Sequence, residues 1–115
     1  MESENSILKI YLSSTDRMKH DLMYEYLVVK AKEIGISGVT VYRGIMGYGK
    51  SSHHINTSRF WELTEKLPVI IEIVDTTDKV NQFYVIAEKE LSKLPKGCLA
   101  TIQPIDIKIY KSGIK

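Results

Sequence analysis

Residues 67–78, LPVIIEIVDTTD, join a run of strand-forming residues directly to a cluster of helix-capping residues. Leu67-Pro68 introduces the run Val69–Val74, whose β-branched content predicts a strand. The oxygens of Asp75-Thr76-Thr77-Asp78 suit the first N–H groups of a helix, which we expect to begin here. The inner face of this helix is predicted to consist of Val80, Phe83, Ala87, Leu91 and Leu94. Pro95-Lys96-Gly97 is expected to break it.

Another strand and helix lie earlier in the chain. Residues 7–12, ILKIYL, alternate in polarity and predict the first strand. Ser13-Ser14-Thr15 offers hydroxyls that cap a helix, and Asp16 favours the positive N-terminal end of that helix. The helix has one apolar stripe, formed by Met23, Leu27, Ala31 and Ile34, and Gly35 ends it. Residues 39–42, VTVY, predict the second strand.

The C-terminal part completes the pattern. Residues 99–102 predict a fourth strand, and Pro104 separates it from a last alternating piece over residues 105–110. The order is β-α-β, a long connection, and β-α-β with a short β extension. It predicts an α+β ferredoxin-like βαββαβ sandwich, in which two helices cover one face of an antiparallel sheet and a long loop follows strand 2. Another α+β sandwich is the alternative.

Composition excludes several classes of protein. Of 115 residues, 43% are hydrophobic and 26% are charged, which excludes a disordered chain, a collagen-like fibre and a disulfide-dense mini-protein. No apolar run approaches the roughly 18 residues of a membrane span, and the acidic N-terminus is unlike a secretory signal. Cys98 has no partner for an internal disulfide, which fits the cytoplasm. The net charge of +2 does not indicate nucleic-acid binding. We expect one cytoplasmic domain, residues 1–115.

The sheet face away from the helices is predicted to be apolar. It would carry Ile7, Tyr11, Tyr42, Ile70 and Val74. Such a face predicts self-association in a closed ring or a dimer. The alternative is that the strand register differs by one residue, which places these side chains in the core.

The segment between Tyr42 and Leu67 has little periodicity, and we expect a long flexible loop over about residues 44–67. Glycines at positions 44, 47 and 49 let backbone N–H groups approach a ligand, although their spacing fits neither a Rossmann nor a Walker loop. Residues 34–61 contain no Asp or Glu, but they contain Arg43, Lys50, Arg59, His53 and His54. The local positive charge predicts an anionic ligand or an acidic partner. A solvated loop that lacks acids by chance is the alternative.

No catalytic constellation stands out in the sequence. Adjacent His53 and His54 rarely converge on one ion, and neither Cys98 nor His20 adds a zinc-like spacing. Cys98 is interpreted as a small core residue rather than a thiolate. Carboxylates are not paired in an arrangement suited to acid–base chemistry. The sequence therefore predicts a protein that is not an enzyme.

Two motifs resemble a known family. The sequence resembles the loop base and the following strand of PII signalling proteins, and it resembles an uncharacterised bacterial and archaeal PII-like family more closely. The residues that carry the resemblance are Tyr42–Gly49 (YRGIMGYG), His53, Leu67-Pro68 and Glu72–Asp75. The likeness runs from about residue 7 to residue 110. It implies a ferredoxin-like homotrimer that binds adenine nucleotides in clefts between subunits. The loop of residues 44–67 would then dock on a target protein.

The resemblance also implies site residues. Gly47, Tyr48 and Gly49 would line the phosphate end of the cleft, and Lys50 stands where PII proteins have a phosphate-contacting arginine. Lys108 and Tyr110 stand where PII proteins have two basic residues, and the glycine-rich loop before the last strand is reduced to Lys96-Gly97. The implied ligand-binding set is Arg43, Gly44, Gly47, Tyr48, Gly49, Lys50, His53, Gly97, Lys108 and Tyr110.

Departures from the PII pattern favour AMP or ADP over ATP with magnesium as the ligand. No tyrosine lies between Tyr48 and Tyr84, so a tyrosine modification in the loop is not supported. We therefore expect a non-enzymatic homotrimeric sensor that requires no cofactor and contacts an unknown target protein. We expect neither nucleic-acid binding nor a membrane span. A metal-binding trimer using His53, His54 and Cys98 is one alternative. A weak nucleotide hydrolase using Glu62, Glu65 or Glu72 is another.

Overall fold

The computed structural model describes residues 4–50, 56–57 and 67–114. Its strands are β1 (Asn5–Ser13), β2 (Arg17–Met18), β3 (Asp21–Leu22), β4 (Val39–Arg43), β5 (Met46–Gly47), β6 (Asn56–Thr57), β7 (Pro68–Thr76) and β8 (Leu99–Ile105). Its helices are α1 (Met23–Glu33), which follows β3, and α2 (Thr77–Leu91), which follows β7.

Four strands form the main sheet in the order β4-β7-β1-β8, and every neighbouring pair is antiparallel. The two central strands are paired with Leu8 opposite Ile73 and Ile10 opposite Ile71. The chain therefore crosses the sheet twice by strand–helix–strand connections, from β1 to β4 and from β7 to β8. This topology confirms the ferredoxin-like arrangement.

The core lies between one face of this sheet and the two helices. Burial alternates residue by residue along β1, because successive side chains of a strand point to opposite faces. The helices contribute the stripes predicted from the sequence, and their buried members are Met23, Leu27 and Ala31 in α1 and Val80, Phe83, Ala87 and Leu91 in α2. Among the residues whose structure is described, no helix is long and apolar enough to cross a membrane.

The start of α2 follows the sequence prediction, whereas its end is earlier than expected. Thr76 is the N-cap, and its side-chain oxygen accepts a hydrogen bond from the backbone N–H of Lys79 at 3.3 Å. The helix ends at Leu91, before the predicted break at Pro95. The backbone N–H of Ser92 still bonds the carbonyl of Glu88, and Leu94 packs against the core from beyond the helix.

The predicted start of α1 is wrong. Ser13–Asp16 do not cap the helix, which begins at Met23 after Leu22 with no side-chain cap. Asp16 instead closes a turn, where its Oδ2 accepts a hydrogen bond from the backbone N–H of Ser13 at 2.9 Å. A small hairpin of β2 and β3 then intervenes, with Lys19 in the left-handed region at φ 59°. The predicted stop at Gly35 is confirmed by its φ of 87°.

The predicted break at Pro104 is also wrong. Pro104 lies inside β8, opposite Ser6 of β1. An edge strand has one side without a partner, so a residue that lacks an N–H is tolerated there. The alternating piece predicted over residues 105–110 continues the strand only to Ile105.

The register gives the sheet two distinct ends. Ser13, Arg43, Pro68 and Leu99 lie at one end, called here the loop end. Asn5, Thr76 and Ile105 lie at the other end, called the tail end. At roughly 3.3 Å per residue, the nine residues of β1 separate the two ends by about 26 Å.

The burial pattern of α1 predicts different effects for two neighbouring truncations. Leu27→Ala removes a fully buried side chain and is expected to lower the free energy of unfolding by about 2–5 kcal/mol. Val29→Ala, at a side chain that is 56% exposed on the same helix, is expected to change it by no more than about 0.5 kcal/mol. Urea denaturation of both variants measures the difference. Equal losses at the two positions would contradict this assignment of the helix faces.

Candidate functional site

The loop end of the sheet is shaped by a close contact where β4 ends. The backbone N–H of Gly44 donates to the carbonyl of Pro68 at 2.8 Å. A Cβ at position 44 would lie 2.8 Å from Cγ of Pro68, closer than carbon atoms approach. Glycine is therefore required where the chain leaves the sheet.

Beyond Gly44 the chain forms a second small pairing. Met46 lies opposite Thr57 and Gly47 opposite Asn56, so β5 and β6 close the base of the segment predicted as an irregular loop. Strands of two residues are too short to show alternation in a sequence. The exit from β4 and this pairing hold residues 44–49, called here the glycine segment, next to the sheet.

Much of this loop base is exposed. Ile45 and Tyr48 are 75% and 74% exposed, and the side chain of Lys50 is exposed as well. The structure thus brings Arg43, Gly44, Gly47 and the following residues to one end of the molecule, as expected for a continuous segment. The predicted contributions of His53, His54 and Arg59 lie outside the described residues.

Gly97 is also at the loop end, but at the opposite edge of the sheet. It is exposed and lies just before β8, whereas the glycine segment leaves β4. The edge strands are separated by two central strands, a distance of about 14 Å at the usual strand spacing. Within one chain, Gly97 therefore does not join the glycine segment.

Lys108 and Tyr110 follow β8 beyond the tail end. Lys108 pairs with Asp106 at 2.8 Å. The Tyr110 hydroxyl donates to Oγ of Ser37 at 3.0 Å, and Ser37 in turn donates to the carbonyl of Val74. These bonds tie the tail to the turn between α1 and β4. One chain therefore does not bring Lys108 and Tyr110 to the glycine segment.

Arg43 faces away from the open sheet face. It shares the helix-side face with Val39 and Val41, which pack against the core. There it borders a pocket of about 440 Å³. The pocket is lined by Ser14, Thr15, Arg17, Leu22, Tyr24 and Arg43.

Sequence reasoning missed Arg17 as a site residue, because residues 14–22 were interpreted as the start of α1. One signal was available, since this connection is longer than the two to six residues that usually link a strand to a helix. The fold brings Arg17 and Arg43 to the same pocket, and the sequence around either residue does not predict that they lie close together.

The register places the predicted apolar residues together on the open sheet face. Ile70 lies opposite Tyr11 and Tyr42, and Val74 lies opposite Ile7. Ile70 is only 8% exposed although no helix covers this face. The shifted register considered as an alternative is therefore wrong.

A polar pair lies within this apolar face. The Tyr42 hydroxyl donates to Oε2 of Glu72 at 2.9 Å. This hydrogen bond to a carboxylate raises the pKa of Tyr42 above its ordinary value of 10.0, and desolvation and the negative charge of Glu72 add to the effect. Glu72, one of the carboxylates considered for hydrolysis, is thus engaged in the middle of the sheet face.

Cys98 is exposed, so the interpretation as a core residue is wrong. It borders a smaller pocket of about 210 Å³ between α2 and β8, together with Tyr84, Glu88 and Ser92. Partial burial, with a smaller contribution from the charge of Asp16, raises the pKa of the Cys98 thiol. Within the described ranges, no three His, Cys, Asp or Glu side chains converge in a way that could hold a metal ion.

Comparison with known proteins finds a family and a fold. The model of the DUF190 family, described as "Uncharacterized ACR", matches residues 5–107. A UPF0166 protein from Aquifex aeolicus is 36% identical over 80 residues, which cover 70% of this chain and 75% of that protein. A UPF0166 protein from Methanocaldococcus jannaschii is 43% identical over 76 residues, covering 66% of this chain and 68% of that protein.

Solved structures of PII-like proteins share the fold at low sequence identity. CPII, a nitrogen regulatory PII-like protein from Thiomonas intermedia K12, was solved bound to ADP, AMP and bicarbonate. It superposes with a TM-score of 0.61 at 13% identity, over 88% of this chain and 87% of that one. The PII-like, ferredoxin-like fold is thereby confirmed.

The pair on the open face predicts a shifted tyrosine titration. Because its pKa is raised on folding, Tyr42 contributes stability that is full below pH 10 and is lost as pH rises through its folded pKa. Glu72→Ala is expected to lower the pKa of Tyr42 towards 10.0. A ¹³C NMR titration of the Tyr42 ring, assigned with Tyr42→Phe, measures this. Glu88→Ala on α2 is the control, and an unmoved pKa in Glu72→Ala would show that the hydrogen bond is not formed.

Proposed function

This chain belongs to the DUF190 family of uncharacterised proteins and has a PII-like fold, and from that premise we propose that it is a non-enzymatic sensor of an adenine nucleotide. The nucleotide, of the AMP, ADP or ATP type, binds in a cleft between two subunits of a homotrimer. Binding changes how the loop of residues 44–67 is presented to a target protein.

The observation that carries this proposal is the construction of the loop base. The Gly44–Pro68 bond and the β5–β6 pairing fix where the segment Gly47–Lys50 follows the edge strand β4, and its two glycines carry no side chain that would cover the backbone. Backbone N–H groups beside a lysine suit a phosphate group. The solved structure of CPII with ADP and AMP gives an example of such ligands on this fold.

Sheet geometry supports a site shared between subunits. A rotation axis that runs nearly parallel to the strands leaves the loop ends of all copies at the same side of the assembly. The β4 edge of one copy then faces the β8 edge of the next, which brings Gly47–Lys50 towards Gly97 of the partner subunit. Lys108 and Tyr110 lie at the tail end, so they join this site only if the tail changes its path.

The open sheet face supports self-association. Ile7, Tyr11, Ile70 and Val74 form apolar surface on either side of Lys9 and Glu72, which lie opposite each other, and subunit interfaces bury apolar surface of this kind. The Tyr42–Glu72 pair gives this surface a polar element that fixes orientation. The trimer would bury this face around its axis and leave the helices outside.

The exposed side chains at the loop base suit a protein partner. Ile45, Met46 and Tyr48 are all more than half exposed. Apolar and aromatic side chains of this kind are enriched in the buried centre of protein interfaces. We assign them to the surface that the target protein contacts when the nucleotide is bound.

Nucleotide binding is expected to raise the melting temperature. A ligand at about 100 times its Kd adds about 2.7 kcal/mol to the native state, which raises the midpoint by several degrees. Thermal unfolding with AMP, ADP and ATP, each with and without magnesium, and with guanine nucleotides measures the effect. Only the adenine series is expected to act.

A lysine substitution tests the site itself. Lys50→Ala is expected to weaken adenine-nucleotide binding while leaving the melting temperature of the free protein unchanged. Lys93→Ala, which removes the same charge from an exposed position after α2, is the matched control. A dissociation constant unaffected by Lys50→Ala would remove Lys50 from the site, and a flat response to every nucleotide would contradict the proposed function.

A charge placed on the open face tests assembly. Ile7→Glu puts a carboxylate into the proposed interface and is expected to reduce the molar mass from that of a trimer to that of a monomer, because an unpaired charge there must be desolvated. Val29→Glu, on the exposed side of α1, is expected to remain trimeric. Light scattering after gel filtration gives the masses, and circular dichroism verifies folding. A trimeric Ile7→Glu protein would place the interface elsewhere.

A further inference from the structure

The pocket beside Arg43 is built by a part of the fold that the proposed nucleotide cleft does not use. It lies on the helix side of the sheet at the loop end, between the β2–β3 hairpin, the start of α1 and the last residue of β4. Its volume of about 440 Å³ is within the range of pockets that hold small molecules. All of its lining residues come from one chain, so it needs no second subunit.

The charged groups in this pocket have one sign. Arg17 and Arg43 both line it, and no carboxylate is among its lining residues. Across residues 4–50 and 67–114, no carboxylate forms an ion pair with either guanidinium. Arginine keeps its charge at any physiological pH, so two positive charges face one cavity, and neither is in an ion pair with another described residue.

One of the two guanidiniums is already oriented. Nη1 of Arg17 donates to the carbonyl of His20 at 3.1 Å, across the turn of the hairpin. A guanidinium has five N–H donors in a planar fork, so this bond fixes the side chain and leaves other donors for a ligand. A planar fork of this kind pairs with two oxygens of a phosphate or carboxylate at once.

The walls of the pocket are held by the backbone. The N–H of Ser14 donates to the carbonyl of Leu67 at 3.0 Å, and the N–H of Met23 donates to the carbonyl of Asp16 at 2.7 Å. Asp16 is buried, and its carboxylate accepts a hydrogen bond from the N–H of Ser13 within the turn. The hairpin that carries Arg17 is thus held by one backbone bond to Leu67, just before β7, and by another to the first residue of α1.

The remaining lining residues add a hydroxyl group and apolar surface to the pocket. Thr15 contributes a hydroxyl that is hydrogen-bonded to Oγ of Ser13 at 3.0 Å and can donate to an oxyanion when Ser13 is the donor of that bond. Leu22 and Tyr24 contribute apolar surface. A ligand matched to this wall has an anionic head for the two arginines and an apolar or planar body for Leu22 and Tyr24.

We propose that this pocket binds a small organic oxyanion, a phosphate ester or a carboxylate, through Arg17 and Arg43. This site is separate from the inter-subunit nucleotide cleft and does not depend on nucleotide binding there. It gives the protein a second ligand-binding site. This site lies at the base of the same loop, because Arg43 directly precedes Gly44.

Isothermal titration calorimetry with pyrophosphate, phenyl phosphate and benzoate tests the site on the protein of residues 1–115. The titrations are made without ADP, because ADP is itself a phosphate ester and would compete for the pocket, and Lys50→Ala protein removes any contribution from the cleft. Wild-type protein is expected to bind at least one of these anions, and the comparison of phenyl phosphate with benzoate identifies the preferred head group. Failure of all three to bind would overturn the proposal.

Variants assign the binding to the arginines. Arg17→Gln and Arg43→Gln are each expected to weaken the anion at least tenfold, and Arg17→Lys is expected to recover only part of the loss because the fork is absent. Lys19→Gln removes a positive charge from the same hairpin without touching the pocket and is expected to leave the affinity unchanged. Equal weakening by Lys19→Gln and Arg17→Gln would overturn the proposal, because it would reveal only a diffuse charge effect.

The two sites are distinguished by crossing the variants and ligands. Lys50→Ala is expected to lower affinity for ADP but not for the anion, and Arg17→Gln is expected to do the reverse. Loss of ADP binding alone would contradict the nucleotide cleft and leave this pocket intact. Anion binding that disappears in Lys50→Ala but survives in Arg17→Gln would overturn the pocket.

Discussion

The pairing of β1 with β7 is the constraint on which the rest of the structure depends. Both strands are central, and their side chains alternate between a face covered by helices and a face left open. Leu8, Ile10 and Ile71 point into the core, and the residues next to them in sequence point to the open face. A shift of one residue in this pairing would exchange the two faces, so the core and the open apolar face are two results of one register.

This register also separates three consecutive residues that mark the end of β4. Tyr42 lies on the open face beside Glu72, and Arg43 lies on the helix side, where it lines the pocket that also contains Arg17. Gly44 leaves the sheet and bonds to Pro68. The proposed interface, the proposed anion pocket and the base of the loop therefore meet at one short piece of backbone. Any event that moves one of these residues acts on the surroundings of the other two.

Sequence patterns predicted the parts of the fold that repeat over many residues. The stripes of α1 and α2, the alternation of β1 and the Thr76 cap all have periodic or local signals, and the structure agrees with them. The β2–β3 hairpin and the role of Asp16 were missed because a capping side chain looks the same in a turn as at a helix start. The same interpretation caused Arg17 to be missed as a site residue. The other arginine of the pocket, Arg43, lies 26 positions away, so only the fold brings the two together.

Pro104 has a consequence for how copies of this chain can stack. An edge strand with a full row of N–H and C=O groups is a template for adding further strands, and repeated edge-to-edge addition builds open filaments. β8 is such an edge, and Pro104 removes one donor from the strand near its tail end. Proline in an edge strand is one of the features by which proteins discourage such strand addition. Association through the sheet face, as proposed above, would instead form a closed assembly that limits its own size.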